Sequence, residues 1–151
     1  MDPIKRKIKK FEKIFKQYPD IFPKGYFRYF EISMRKKIEN KEIIFKNGVI
    51  LTWKKYKKTP SGIYKKLKLK PGDIKVNQLV NKNQGNGMAK KVFISFLKKF
   101  KLNDIYLDVR LDNKKAIRFY KKNGFKKVAN TKFGNIKGII MKKSKNLKGG
   151  N

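Results

Sequence analysis

Gln84-Gly85-Asn86-Gly87-Met88-Ala89 decides how this chain is read. These six residues are small or polar, and they run straight into a segment of helical periodicity. Met88, Val92, Phe96 and Phe100 recur at one-turn spacing, and Lys90, Lys91, Lys98 and Lys99 lie between them. The segment from about Asn86 to Phe100 is therefore predicted to be a helix with the first set inward and the lysines outward. Upstream, Asp73 to Val80 has strand character and leads into the loop. Strand, glycine turn and helix start together make a cradle for a pyrophosphate. Glycines let backbone N–H groups approach an anion, and the positive end of the helix dipole faces it. Alone, such a loop is a weak signal.

A second pattern follows downstream. Ile105-Tyr106-Leu107-Asp108-Val109 reads as a strand, and Asp112 or Asn113 then caps a helix that stops at Asn123-Gly124. This helix carries Asn113-x-x-Ala116-x-x-x-Tyr120-x-x-x-Gly124-Phe125, with Tyr120 on its inner face. Phe125 to Ala129 and Ile136 to Met141 read as a closing antiparallel pair. At the N-terminal end, Ile4, Ile8, Phe11 and Phe15 predict a helix over 3–17, ended by Pro19 and Pro23. Tyr26 to Ile32 is β-prone. Ile43–Lys46, Asn47-Gly48 and Val49–Trp53 form the clearest hairpin, because Asn-Gly suits a type I′ turn. Residues 54–72 read as loop with a short extended piece. The lysine- and glycine-rich tail 142–151 reads as disordered, leaving 1–141 as a single domain.

Composition narrows the chemistry. The chain has 151 residues, 39% of them apolar and 13% aromatic, which supports a folded core. Cysteine and histidine are both absent. Disulfides and thiolate chemistry are excluded, a histidine triad is excluded, and the usual zinc and non-haem iron ligand sets are missing. No metal is expected. A general base must be a carboxylate, a water or an unusual lysine. No segment has the length of apolar sequence that spans a membrane, and the start lacks the apolar core of a secretory signal. A cytoplasmic location is expected.

The formal net charge is +33. Arginine occurs only at Arg6, Arg28, Arg35, Arg110 and Arg118, and abundant Lys, Ile and Asn fit an AT-rich genome. Such a bias also favours glutamate codons, yet the only glutamates are Glu12, Glu31, Glu39 and Glu42. Codon usage thus explains Lys over Arg but not basic over acidic. Self-repulsion at this charge costs stability, so a polyanionic partner is inferred, with nucleic acid favoured.

The loop and the Tyr120 helix together resemble the acyl-CoA-binding core of the GCN5-related N-acetyltransferases, written Gln/Arg-x-x-Gly-x-Gly/Ala. The resemblance is firm from about Gly72 to Val128 and weaker upstream. It implies an α/β fold with a mixed, mostly antiparallel central sheet, flanking helices and a splayed central strand. The pair of helices that usually follows the first strand in that family is expected to be missing here or reduced to the N-terminal helix. Gln84, Gly87 and Ala89 match the motif, Gly85 matches its frequent extra glycine, and the backbone from Gly85 through Asn86, Gly87 and Met88 to Ala89 would hold the phosphates of acetyl-CoA. Leu79 falls where the central strand splays and would pair its backbone with the pantetheine arm. Asn113 fits a coenzyme contact, and Tyr120 fits the tyrosine that protonates the departing thiolate. A proline often found shortly before the loop is replaced by Asn81.

The resemblance implies direct attack of an amine on a thioester. Tyr120 serves as general acid in that scheme, with a packed helix tyrosine as the plain alternative. Asp73 matches the distance of a catalytic glutamate in some family members, but it also follows Pro71-Gly72 and suits a turn. Asn77, Gln78 and a water chain are further options at the site. The basic surface disfavours cationic acceptors and favours an amine borne by nucleic acid: a modified DNA base, as in phage DNA modification, or aminoacyl-tRNA. Trp53-Lys54-Lys55-Tyr56-Lys57-Lys58 interleaves aromatics with lysines and suits base stacking with phosphate contacts. Tyr26, Phe27, Tyr29 and Phe30 offer the same chemistry. Three rivals stand beside this: a protein N-acetyltransferase, a non-catalytic nucleic-acid-binding module on the same fold, and a membrane-surface binder acting through 3–17.

Overall fold

The computed structural model describes residues 2–146. Helix α1 covers Pro3–Phe15 and α2 covers Phe30–Glu39, joined through a 3-10 turn at Lys24–Tyr29. Strands β1 (Ile43–Lys46) and β2 (Val49–Lys55) follow, then the one-turn helix α3 (Ile63–Lys66), β3 (Ile74–Asn81) and α4 (Met88–Lys99). The chain closes with β4 (Ile105–Arg110), α5 (Lys114–Lys122), β5 (Lys126–Phe133) and β6 (Ile136–Lys143). The six strands follow the order β1-β2-β3-β4-β6-β5, with β3 and β4 parallel and the sheet otherwise antiparallel. Two compact units divide the chain, residues 1–53 with 78–93, and residues 54–77 with 94–151.

The first unit is built on aromatic packing. Asp2 caps α1 by accepting from the Lys5 N–H at 2.8 Å, and Pro3 takes the first helical position, where no N–H is needed. Ile8, Phe11, Ile14 and Phe15 are then buried on one face. Each such side chain stabilises by about 1.5–3 kcal/mol before conformational entropy is counted. Phe15 lies at the centre, its ring 4.7 Å from that of Phe22 and 5.0 Å from that of Phe30. Because this apolar face is consumed by the core, the membrane-surface reading of 3–17 is overturned: Phe11 and Phe15 are 1% and 0% exposed.

The same packing corrects the β-prone assignment of Tyr26 to Ile32. That segment is the 3-10 turn and the start of α2. Phe22, Tyr26, Phe30 and Met34 recur every four residues, and all pack in the core cluster of α1. The intrinsic β preference of aromatics yields to burial on a helical period. A helix pair, α1 and α2, thus stands where the resemblance was taken to leave one helix. The hairpin matches expectation: Lys46 pairs with Val49, and Asn47 and Gly48 both have positive φ, 52° and 78°.

In the second unit, Leu69, Tyr106 and Ile140 form a buried cluster, and Tyr56, Tyr64 and Leu67 pack on it. These anchors explain why 54–72 is more ordered than a loop: β2 runs on through Lys55, and α3 forms. β6 likewise extends through Lys143, so the tail starts later than residue 142; residues 147–151 lie outside those described. The Lys145 N–H donates to Asp104 at 2.7 Å. Asp104 also meets Lys70 Nζ at 3.1 Å and Lys142 Nζ at 3.7 Å. Burial works against its charged form, but the Lys145 N–H and these two ammonium groups more than offset that, and its carboxyl lies below the usual value.

A depressed folded pKa means stability that is present above the unfolded pKa, near 3.8, and lost as pH falls through the folded value. Asp104→Asn is therefore expected to lower the melting temperature at pH 7 by about 3–8 °C. The gap should narrow as the pH is taken to 3. Circular dichroism melts at both pH values check this, and an unchanged gap contradicts it.

Candidate functional site

The glycine loop belongs to the first unit. β3 ends at Asn81 and α4 starts at Met88, so the loop is held at both ends by regular structure. Gly85 and Gly87 have φ of 85° and 76°, a conformation costly for other residues. A Cβ built on either would meet nothing within 4 Å. The space over both glycines is open, and residues 82–87 are exposed. The first N–H groups of a helix have no acceptor within the helix, and they carry its positive partial charge. Open space, positive φ and a helix start fit a phosphate group. Gln84 is exposed in this loop, Met88 and Ala89 are half-buried at the helix start, and Leu79 is half-buried in β3.

Asn81 organises the loop, a role the sequence did not disclose. Its Nδ2 donates to Asn86 Oδ1 at 2.8 Å, and its Oδ1 accepts from the Asn83 N–H at 3.0 Å. Asn86 Oδ1 in turn accepts from the Met88 N–H at 3.0 Å, which satisfies the first N–H of α4. The Tyr18 hydroxyl donates to the Asn81 carbonyl. Side-chain hydrogen bonds thus do here what a proline would do by stiffening the backbone. Asn81→Ala is expected to loosen the loop and speed amide hydrogen exchange over residues 83–88 by about 3–10-fold, the worth of one or two hydrogen bonds. Hydrogen exchange reads the change, and unaltered rates remove this role from Asn81.

The remaining candidates in the helix and strands are distributed as follows. In the second unit, Asn113 caps α5, its Oδ1 accepting from the Ala116 N–H at 3.2 Å. Tyr120 is half-buried on α5, with ring centroids 5.8 Å from those of both Phe119 and Phe125. Burial pushes its phenol above the ordinary value of 10, which keeps the O–H form at neutral pH. Asp73 is buried in a turn: its Oδ2 accepts from the Lys70 N–H at 3.0 Å and its Oδ1 from Lys70 Nζ at 3.2 Å. Both oxygens are engaged, so the geometry matches the turn reading rather than the base. Gln78, in the first unit, hydrogen-bonds to Tyr26 Oη at 2.7 Å and pairs with Thr52.

The aromatic-lysine stretch is only partly available. Trp53 is 3% exposed, so its indole cannot stack on a base, and that expectation is corrected. The cause is that β2 is buried on both faces from Val49 to Trp53, so no side chain of that run reaches solvent. Tyr56 is half-buried against the cluster of its unit, with Lys54 Nζ 5.7 Å from its ring centroid. Lys54, Lys55, Lys57 and Lys58 are exposed. Of the other aromatics, Phe30 is buried and Tyr29 is exposed.

Asp108 is the second residue the sequence reading passed over. The Tyr64 hydroxyl donates to its Oδ1, and Lys75 Nζ lies 3.4 Å from its Oδ2 and 4.8 Å from the Tyr64 ring centroid. Desolvation and the Asp108 charge both raise the Tyr64 phenol. Its signal was legible as one acid inside an apolar strand. Among the described residues, no group of three or more acidic side chains is placed to hold a metal ion, and no helix is long and apolar enough to cross a membrane.

No protein-family model matches this chain, and no curated protein matches it in sequence. Solved structures do match. A structure described as histone acetyltransferase HPA2 and related acetyltransferase, from Corynebacterium glutamicum, is 11% identical, covering 95% of this chain and 92% of its own, at a TM-score of 0.67. Naa20 of Chaetomium thermophilum, in complex with a bisubstrate analogue, is 14% identical over 77% of this chain and 73% of its own, with a TM-score of 0.60. The ribosomal-protein-S18-alanine N-acetyltransferase of Escherichia coli is 15% identical over 80% of each chain, with a TM-score of 0.56. The chain has the fold of the GCN5-related N-acetyltransferases.

Proposed function

We propose that this chain is an acetyl-CoA-dependent N-acyltransferase whose acceptor is an amine carried on nucleic acid, either a modified DNA base or aminoacyl-tRNA. The observation that carries the donor assignment is the open, positive-φ glycine loop at the start of α4. Backbone N–H groups of Gly85, Asn86, Gly87 and Ala89 bind the pyrophosphate, while the Met88 N–H stays with Asn86 Oδ1, and the Leu79 backbone pairs with the pantetheine amides as an added strand would. Asn113 adds a contact from the cap of α5. The thioester supplies an activated acyl group with a fair leaving sulfur, since a cysteine-like thiol has a pKa near ~8.5. Orientation of the amine then supplies much of the rate. The Tyr120 O–H gives its proton to the departing sulfur, and its raised pKa keeps that proton available. Asp73 is engaged by Lys70, so proton removal from the amine falls to water in this reading.

The acceptor assignment rests on the charge of +33 and on exposed lysines at 54, 55, 57 and 58. It places the work in the cytoplasm, where acetyl-CoA and nucleic acid meet. The second reading is acetylation of a protein amine, which the name of the Escherichia coli structure favours. Calorimetry with acetyl-CoA, followed by radiolabelled acetyl transfer to DNA, aminoacyl-tRNA and peptides, separates them. Labelled nucleic acid supports the proposal and labelled peptide alone supports the second reading. No acetyl-CoA binding overturns both.

A further inference from the structure

The outward face of α1 carries more positive charge than folding calls for, although Lys10 and Lys16 also lie over the rings of Phe45 and Phe27, at 5.3 and 5.2 Å. Lys5, Arg6, Lys7, Lys9, Lys10, Lys13 and Lys16 are all exposed. Lys5 to Lys16 spans about 16 Å at the helical rise of ~1.5 Å per residue. Two acids stand close by, and both are engaged: Glu12 meets Lys16 at 3.4 Å, and Asp2 caps the helix and meets Arg35 at 3.6 Å. The helix itself disfavours this arrangement. Its first turn contains no acid, and Lys5 and Arg6 sit at the positive end of the dipole, where cations destabilise. Neighbouring cations one turn apart repel as well. An array held against local stability points to a partner that neutralises it.

The composition of the face selects that partner. Ile8, Phe11, Ile14 and Phe15 are buried and Ile4 packs half-buried against their cluster, so no apolar face is left to insert into a lipid surface. A protein interface has apolar or aromatic anchors at its centre, and this face has none. Its own length carries no exposed aromatic on which unpaired bases would stack, and the flanking rings of Phe45 and Phe27 lie under Lys10 and Lys16. What remains is a rigid row of cations, which matches a line of phosphates on a duplex backbone. We infer that the outward face of α1 is a docking surface for the phosphate backbone of duplex nucleic acid, without sequence preference. This goes beyond the acyl-transfer proposal, because duplex binding here needs neither acetyl-CoA nor the glycine loop.

The test uses the full chain and a fluorescently labelled 20-base-pair duplex, as DNA and as RNA, with anisotropy read from 50 to 300 mM salt. The variant Lys5→Gln/Arg6→Gln/Lys9→Gln/Lys13→Gln removes four cations. Its control, Lys121→Gln/Lys122→Gln/Lys126→Gln/Lys127→Gln, removes four exposed cations elsewhere. The α1 variant is expected to flatten the slope of log affinity against log salt by about 3–4, and the control by less than about 1. Glutamine is a good helix former, so the α1 variant should melt no lower than the parent chain. Protection of α1 lysines from an amine-reactive reagent by the duplex, in the unaltered chain, gives a second readout independent of any variant. Equal slopes in variant and control overturn the inference. So does absence of α1 protection, binding to single strands as tight as to duplex, or displacement of the duplex by anionic lipid vesicles at matched charge.

Discussion

Gly87→Trp is expected to weaken acetyl-CoA binding at least 100-fold while the chain still folds. The space above Gly87 is open, so an added ring meets no protein atom at its first carbon. It fills the place assigned to the pyrophosphate. Charge-assisted hydrogen bonds contribute about 1.5–3 kcal/mol each, and losing two of them accounts for the expected change. Positive φ adds a separate cost of about 1 kcal/mol to folding for any side chain. Gly87→Ala isolates that cost: it shares the backbone strain and lacks the bulk. The expected pattern is similar melting temperatures for the two variants, with affinity kept in alanine and lost in tryptophan. Calorimetry that finds the tryptophan variant within threefold of the parent places the phosphates elsewhere.

Tyr120→Phe is expected to lower kcat about 100-fold and leave acetyl-CoA affinity within about twofold. General acids contribute about 10²–10⁴, and a thiolate that leaves readily puts this case at the lower end. The pH profile adds a stricter test. The phenol is raised above its ordinary value of 10 by burial, and only its O–H form can donate. The alkaline fall in kcat due to Tyr120 therefore lies above pH 10 and vanishes in the phenylalanine variant. The rise in rate on the acidic side belongs to loss of the acceptor's proton and persists in both. An unchanged kcat assigns Tyr120 to packing against Phe119 and Phe125.

Where the sequence was legible, a single local rule sufficed. Asn47-Gly48 specified its turn because both residues tolerate positive φ. The α4 segment was legible from its apolar period, and α5 from its period and its caps together, with Asn113 capping and Gly124 closing it. Tyr26 to Ile32 misled because strand and helix preferences compete in an aromatic-rich segment. The choice was settled by Phe15 and Phe22, which lie outside it. Trp53 misled for a related reason: lysines follow it in the chain, but its side chain belongs to the core.

The candidate site divides along the same line. Backbone conformation follows from residue type, so the positive φ of Gly85 and Gly87 was legible from the loop sequence alone. Side-chain roles depend on who sits opposite. Asp73 looks free in the sequence, but Lys70 engages it; Asp108 looks incidental, but it gathers Tyr64 and Lys75. By itself the sequence determined the strand-loop-helix cradle, the hairpin, the excess of positive charge and the lack of thiol and imidazole chemistry. All of these are properties of a residue and its near neighbours in the chain. Only the tertiary structure decided that α1 turns its apolar face inward, that Asn81 holds the loop, and which carboxylates are engaged. Those outcomes depend on burial and on partners distant in sequence, and a side chain's neighbours in the chain do not specify them.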